Sequence, residues 1–190
     1  MHTIEPFYNW LHLYDSSEDE RSPFFGKEYN QFEFTETIYN HYIHPNWDSI
    51  ESPTLYIKIL AVDYTMGFAI IELFGEWNDA INNDIMFLKR EITDVLIENG
   101  INQFILIGEN ILNFHNSDDC YYEEWYNDIQ DSVGWIAVLN LRAHVIREMN
   151  QIHLDHFLNY LGEFEEINWR IYEPQDLYSL IERSVNKRLV

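Results

Sequence analysis

From Thr54 onward the apolar residues change period in a regular order, and this constrains the fold more than any other feature of the chain. Leu55-Tyr56-Ile57-Lys58-Ile59-Leu60 alternates as a strand, Asp63-Tyr64-Thr65-Met66-Gly67 suits a tight connection, and Phe68 to Phe74 reads as the antiparallel partner. Trp77, Ile81, Ile85, Leu88, Ile92 and Val95 then recur at steps of three and four, which predicts one helix with a single apolar stripe, stopping near Gly100. A strand over 103–108, a helix over about 120–131, a strand over 135–139, a helix from near Arg142 and a short one holding Leu154, Phe157 and Leu158 follow. Ile167, Trp169 and Ile171 alternate as a last strand, before a helix opened by Pro174. Elements of these lengths in this order predict an α/β fold: a mixed sheet with a parallel core and an N-terminal antiparallel hairpin, carrying four to five helices.

Residues 1–52 do not share this pattern. Asp15-Ser16-Ser17-Glu18-Asp19-Glu20 reads as a solvated acidic loop, Phe7, Trp10 and Leu11 have helical spacing, and Phe32, Phe34 and Ile38 suit an edge strand. The turn at His44-Pro45-Asn46-Trp47 and the Ser52-Pro53 pair close the segment. The expected organisation is an acidic, aromatic N-terminal extension over 1–52 packed on an α/β domain over 53–190.

Charge narrows the partners. With 33 acidic and 11 basic residues the chain carries a net charge of -22, so it has no reservoir of Lys and Arg to replace the counterions of a nucleic acid. Anionic membranes are excluded on the same ground, whereas a basic protein would be steered toward such a surface. The N-terminus lacks a signal-peptide pattern and no apolar run reaches bilayer length, so a cytoplasmic location is expected. The single cysteine, Cys120, reads as structural, because neighbouring carboxylates oppose its acidification.

In an open α/β sheet, ligands and partners are met where strands end and the next helix begins. Phe104-Ile105-Leu106-Ile107 leads there into Gly108-Glu109-Asn110 and then Phe114-His115-Asn116-Ser117-Asp118-Asp119, inside a stretch from Glu91 to Leu141 without a single Lys or Arg. Ser117 with Asp118 and Asp119 has the composition of a plain helix N-cap. His115, Asp118, Asp119 and Glu123, with Glu109 or Glu124, would suit a hard divalent cation, but their spacing matches no dedicated metal loop and no cofactor is expected. His153 and His156 lack further ligands at zinc-site spacing. A nucleophile elbow and a glycine-rich phosphate loop are both missing, so the chain is not expected to be an enzyme. Tyr121-Tyr122-Glu123-Glu124-Trp125-Tyr126 cannot all be buried by one helix, and exposed Tyr and Trp beside carboxylates suit a protein-binding face.

The element order, Gly75-Glu76-Trp77-Asn78-Asp79 after the second strand, and Phe114-His115-Asn116-Ser117-Asp118-Asp119 after the third together resemble the STAS domain of anti-sigma factor antagonists. Val145 to Tyr160, with Met149 and Leu154-Asp155-His156-Phe157, is similar to a later stretch of that family, and the resemblance covers roughly residues 54–180. It implies a non-enzymatic regulatory domain whose serine, here Ser117, is phosphorylated by a regulatory kinase, with Asn116 in place of the preceding aspartate. Asp118 and Asp119 depart from the family's Ser-Gly and place two carboxylates beside any phosphate. On this reading Glu76, Asp79, Asn116, Asp118, Asp119, Tyr122 and Trp125 form the partner-binding surface. The alternatives are an acidic inhibitor or decoy of a basic protein, and a divalent-metal-dependent enzyme centred on His115 and the nearby carboxylates.

Overall fold

The computed structural model describes residues 2–30, 32 and 34–188. Its centre is a five-stranded mixed sheet in the order β4-β5-β6-β7-β8, made of β4 (Asp48–Ser49), β5 (Leu55–Asp63), β6 (Phe68–Asn78), β7 (Gln103–His115) and β8 (Trp135–Leu139). β5 pairs antiparallel with β4 and with β6. β6, β7 and β8 run parallel, so the expected hairpin and parallel core are both present. A smaller sheet, in the order β1-β3-β2, is built from β1 (His2–Ile4), β2 (Thr37–Ile38) and β3 (His41–Ile43).

Both faces of the large sheet are covered, as the near-continuous apolar runs of its parallel strands require. Leu55, Ile57, Ile59, Ile71, Leu73, Phe104, Leu106, Ile136 and Val138 point to one face. There they meet the helix over 84–98, α3 (Cys120–Gln130) and α4 (Ala143–Gln151). That first helix runs as α1 (Asp84–Phe87), a π-helical stretch Leu88–Thr93 and α2 (Asp94–Glu98). The opposite face carries Leu60, Phe68, Ile70, Ile105, Ile107 and Ala137 against α5 (Pro174–Arg188), with Trp169 and Trp10 packed beside them. Farther along this face, Tyr56 and Phe74 support Ile38, Ile43 and Trp47 of the N-terminal segment. Lys58 and Glu72 face each other across β5 and β6 between these two apolar clusters.

Several local readings of the sequence are corrected. Trp77 lies at the end of β6, and Ile81 sits in the following turn with 83 % of its surface exposed, so the first helix opens only at Asp84. β7 continues to His115, because a bent β6 keeps pairing with it through two register shifts. Ile167, Trp169 and Ile171 form no strand: Asn140 makes two side-chain hydrogen bonds to the backbone of Ile167, at 2.8 Å each, and 169–171 closes as a 3-10 turn. Leu154 likewise opens a 3-10 turn over 154–156. Phe7, Trp10 and Leu11 lie in a coil and turn, and Phe32 sits in a turn ahead of β2. The acidic loop is pinned, since Tyr14 and Tyr64 both donate to Asp19, at 3.0 and 2.5 Å, while Arg21 lies over the Tyr64 ring. Among the described residues no helix is long and apolar enough to cross a membrane.

Candidate functional site

The two stretches singled out by their sequence meet at one end of the sheet. Strand register puts Glu76 beside Asn113, Trp77 beside Phe114 and Asn78 beside His115. Beyond the strands the contact continues, because the His115 carbonyl accepts from the backbone amides of Asp79 at 3.0 Å and Ala80 at 3.2 Å. The turn after β6 and the turn after β7 are thus one surface.

Ser117 stands at its edge, two residues past the end of β7 and exposed, with no hydrogen bond from its hydroxyl among the described residues. Its neighbours are fastened. Asn116 donates to the Glu148 carbonyl and to Gln151 of α4, both at 3.3 Å, and Asp118 Oδ1 accepts from the Cys120 amide at 3.1 Å. The N-cap of α3 is Asp119, which makes no side-chain cap bond. Ser117 is therefore not the cap that its sequence context suggested, and its hydroxyl is not committed to helix formation.

Beneath the surface lies a buried polar cluster. Asp79 accepts from Trp77 Nε1 at 3.0 Å, from the Ile85 amide at 2.9 Å and from the Tyr122 hydroxyl at 2.5 Å, tying together β6, α1 and α3. Asp84 is fully buried, and its Oδ2 accepts from the Asn78 amide at 2.7 Å. Burial pushes the Asp79 carboxyl up to about 6, against the pull of the Tyr122 hydrogen bond, and raises Asp84 as well. Burial also raises Tyr122 far above its ordinary range, with the Asp79 charge adding to the effect.

This burial corrects part of the predicted partner surface. Tyr122 and Trp125 are fully enclosed, stacking on Trp77 and packing edge-on to Phe104, and Asp79 is enclosed too. The helical period decides the outcome: Tyr122, Trp125 and Ile129 share the inward face of α3, leaving Glu123 outside. Glu76 does remain within reach of solvent, accepting from Asn78 Nδ2 at 2.7 Å and lying 3.6 Å from His115 Nε2. Tyr39 of the N-terminal segment donates to the same carboxylate and accepts from Asn113 Nδ2 at 2.9 Å. Neither Tyr39 nor Asp84 stood out in the sequence. The only signal for Asp84 was an acid at a helix start, which capping alone explains.

The proposed metal ligands are not assembled. Glu109 is taken up by Arg170 and Trp169, and Glu124 by Arg90. Among the described residues no group of three His, Cys, Asp or Glu, including His115, Asp118, Asp119 and Glu123, is placed to hold an ion. Cys120 is exposed, and the Asp118 carboxylate beside it holds its thiol above the usual range, which disfavours the reactive thiolate.

No family model matches the sequence, and no curated protein matches it. Among solved structures the chain is similar to the anti-sigma factor antagonist SpoIIAA in its unphosphorylated form, at 15% identity and a TM-score of 0.45, covering 56% of this chain and 89% of that one. It is also similar to the Bacillus cell fate determinant SpoIIAA in the phosphorylated form, at 14% identity and a TM-score of 0.40, covering 56% of this chain and 92% of that one.

Proposed function

We propose that this protein is a non-enzymatic, cytoplasmic regulatory domain that binds a protein partner through the surface formed by Glu76, Asn116, Ser117, Asp118 and Asp119, and that phosphorylation of Ser117 by a regulatory kinase switches this binding. The observation that carries the reading is the Ser117 hydroxyl, exposed and unbonded on a loop whose neighbours on both sides are anchored. An exposed, unbonded hydroxyl is accessible to a kinase, and a modification there alters charge without disturbing the core. The phosphate adds about -1.5 to -2 charges beside Asp118 and Asp119, so a partner reading the unmodified face meets a large change in potential. The resemblance to anti-sigma factor antagonists supports the same assignment for Ser117. Phosphopeptide mass spectrometry of the protein isolated from its native cell tests it: a stoichiometric fraction modified at Ser117 under some growth condition is expected. Ser117 unmodified across all conditions, with partner capture unaffected by Ser117→Glu, excludes the switch. A partner whose capture vanishes with salt and ignores Ser117 would identify an acidic decoy instead.

A further inference from the structure

The small N-terminal sheet has one face on the core and one in water. Ile4, Ile38 and Ile43 turn inward against Trp47 and Phe74. The outer row, set by the register Thr3 to Tyr42 to Thr37, is continued by Phe34, whose ring stands edge-on to Tyr42 at 6.4 Å and to His44 at 5.3 Å. Phe32, Phe34, Tyr42 and Thr3 line an open cleft of about 480 Å³. Phe32 is 90 % exposed, Phe34 41 % and Tyr42 37 %, so this face leaves three aromatic rings in water although nothing in the core needs them there.

The charge around the cleft is mostly negative: Lys27, which lines a neighbouring cleft with Glu36 and His44, is paired with Asp48 at 2.6 Å, and Arg142 acts on His41 of β3. No Lys or Arg occurs before Arg21 or between Lys27 and Lys58, while Glu5, Glu28, Glu36 and Glu51 fall in those stretches. Glu5 lies 3.8 Å from His44, and Glu36 accepts from Tyr56, so both stand on the elements that frame the sheet. A second copy of this chain carries the same net charge of -22 and an anionic membrane is likewise repelled, which leaves a cationic occupant. Exposed aromatic faces favour guanidinium over ammonium, because guanidinium stacks flat on a ring.

We propose that the outer face of the β1-β3-β2 sheet, centred on Phe34 and Tyr42 with Phe32, is a docking site for an arginine-rich segment of a partner protein. Tyr39, in the β2–β3 turn, joins this face to Glu76, so the N-terminal segment extends the Ser117 surface with a second, constitutive contact. The inference rests on the partner-binding reading above but not on the phosphorylation of Ser117.

Titration of the full chain with nona-arginine and nona-lysine peptides at moderate salt, followed calorimetrically, tests it. Nona-arginine is expected to bind several-fold more tightly than nona-lysine. The Phe34→Ala, Tyr42→Ala double variant is expected to lose about tenfold in affinity for it, and Tyr42→Phe to bind as the wild type does. Both rings are only partly buried, so the double variant should remain folded with a modestly lowered melting temperature, and Ser117→Ala should bind the peptide normally. Equal binding of the two peptides, or wild-type affinity in the double variant, overturns the proposal and leaves only non-specific attraction to an acidic protein. Peptide binding that survives a negative result at Ser117 would separate this docking face from the switch.

Discussion

The Tyr122 hydroxyl donates to Asp79 Oδ2 at 2.5 Å, joining α3 to the turn after β6 across 43 residues of chain in a buried setting. This bond makes the floor of the candidate surface. Tyr122→Phe removes the donor and leaves a buried carboxylate one partner short, which should cost about 2 kcal/mol in chemical denaturation and raise the apparent pKa of Asp79 further. A variant as stable as the wild type would show that the bond contributes nothing net.

Gly75 is expected to tolerate no side chain. It sits at a φ of +117°, and a Cβ there would lie 2.1 Å from the Thr54 carbonyl oxygen and 3.4 Å from Ile38 Cδ1. Gly75→Ala should destabilise by about 3 kcal/mol through strain and a forced parting of the strands. Because Ile38 belongs to the N-terminal sheet, protease sensitivity should rise first there, and limited proteolysis checks this.

Stability should fall as pH rises from about 5 to 7.5. Burial pushes Glu72 from 4.5 up to about 7 and Asp79 from 3.8 up to about 6, so the folded state binds these protons more tightly than the unfolded chain does. Their contribution is complete below pH about 4 and is lost as pH passes through 6 and 7. His41, whose pKa burial and the charge of His2 hold down, works in the opposite sense below 6.5. The cleanest comparison is therefore with Glu72→Gln, which keeps an acceptor for the Phe7 amide, now 2.8 Å from the carboxylate. The gap in melting temperature between wild type and variant should shift against the wild type by the equivalent of a few kcal/mol as pH rises. Parallel curves would contradict the account.

The hairpin from Leu55 to Phe74 and the strand from Phe104 were legible because their apolar residues alternate or run unbroken between turn residues. What misled was coincidence of spacing. Trp77 and Ile81 stand four apart and extend the stripe of the next helix backwards, yet Asp79 and Asp84 hold the intervening chain as a turn through side-chain bonds to Ile85 and Asn78. Such bonds have no period and leave no trace in a hydropathy pattern. At the site, Ser117 could be located because it follows a strand, but the inward rotation of Tyr122 and Trp125 depended on where α3 begins. Moving that start by one residue turns a helical face by about 100°.

On the proposed switch, negative charge added at Ser117 lowers the affinity of the partner surface. The most direct test is quantitative affinity capture from the native cell with the wild type, Ser117→Ala and Ser117→Glu, each at equal folded concentration. The account predicts that Ser117→Ala and the wild type retain the same specific partner, while Ser117→Glu recovers at least about tenfold less of it, consistent with the 1–3 kcal/mol typical of regulatory coupling. Equal recovery by all three proteins would contradict it.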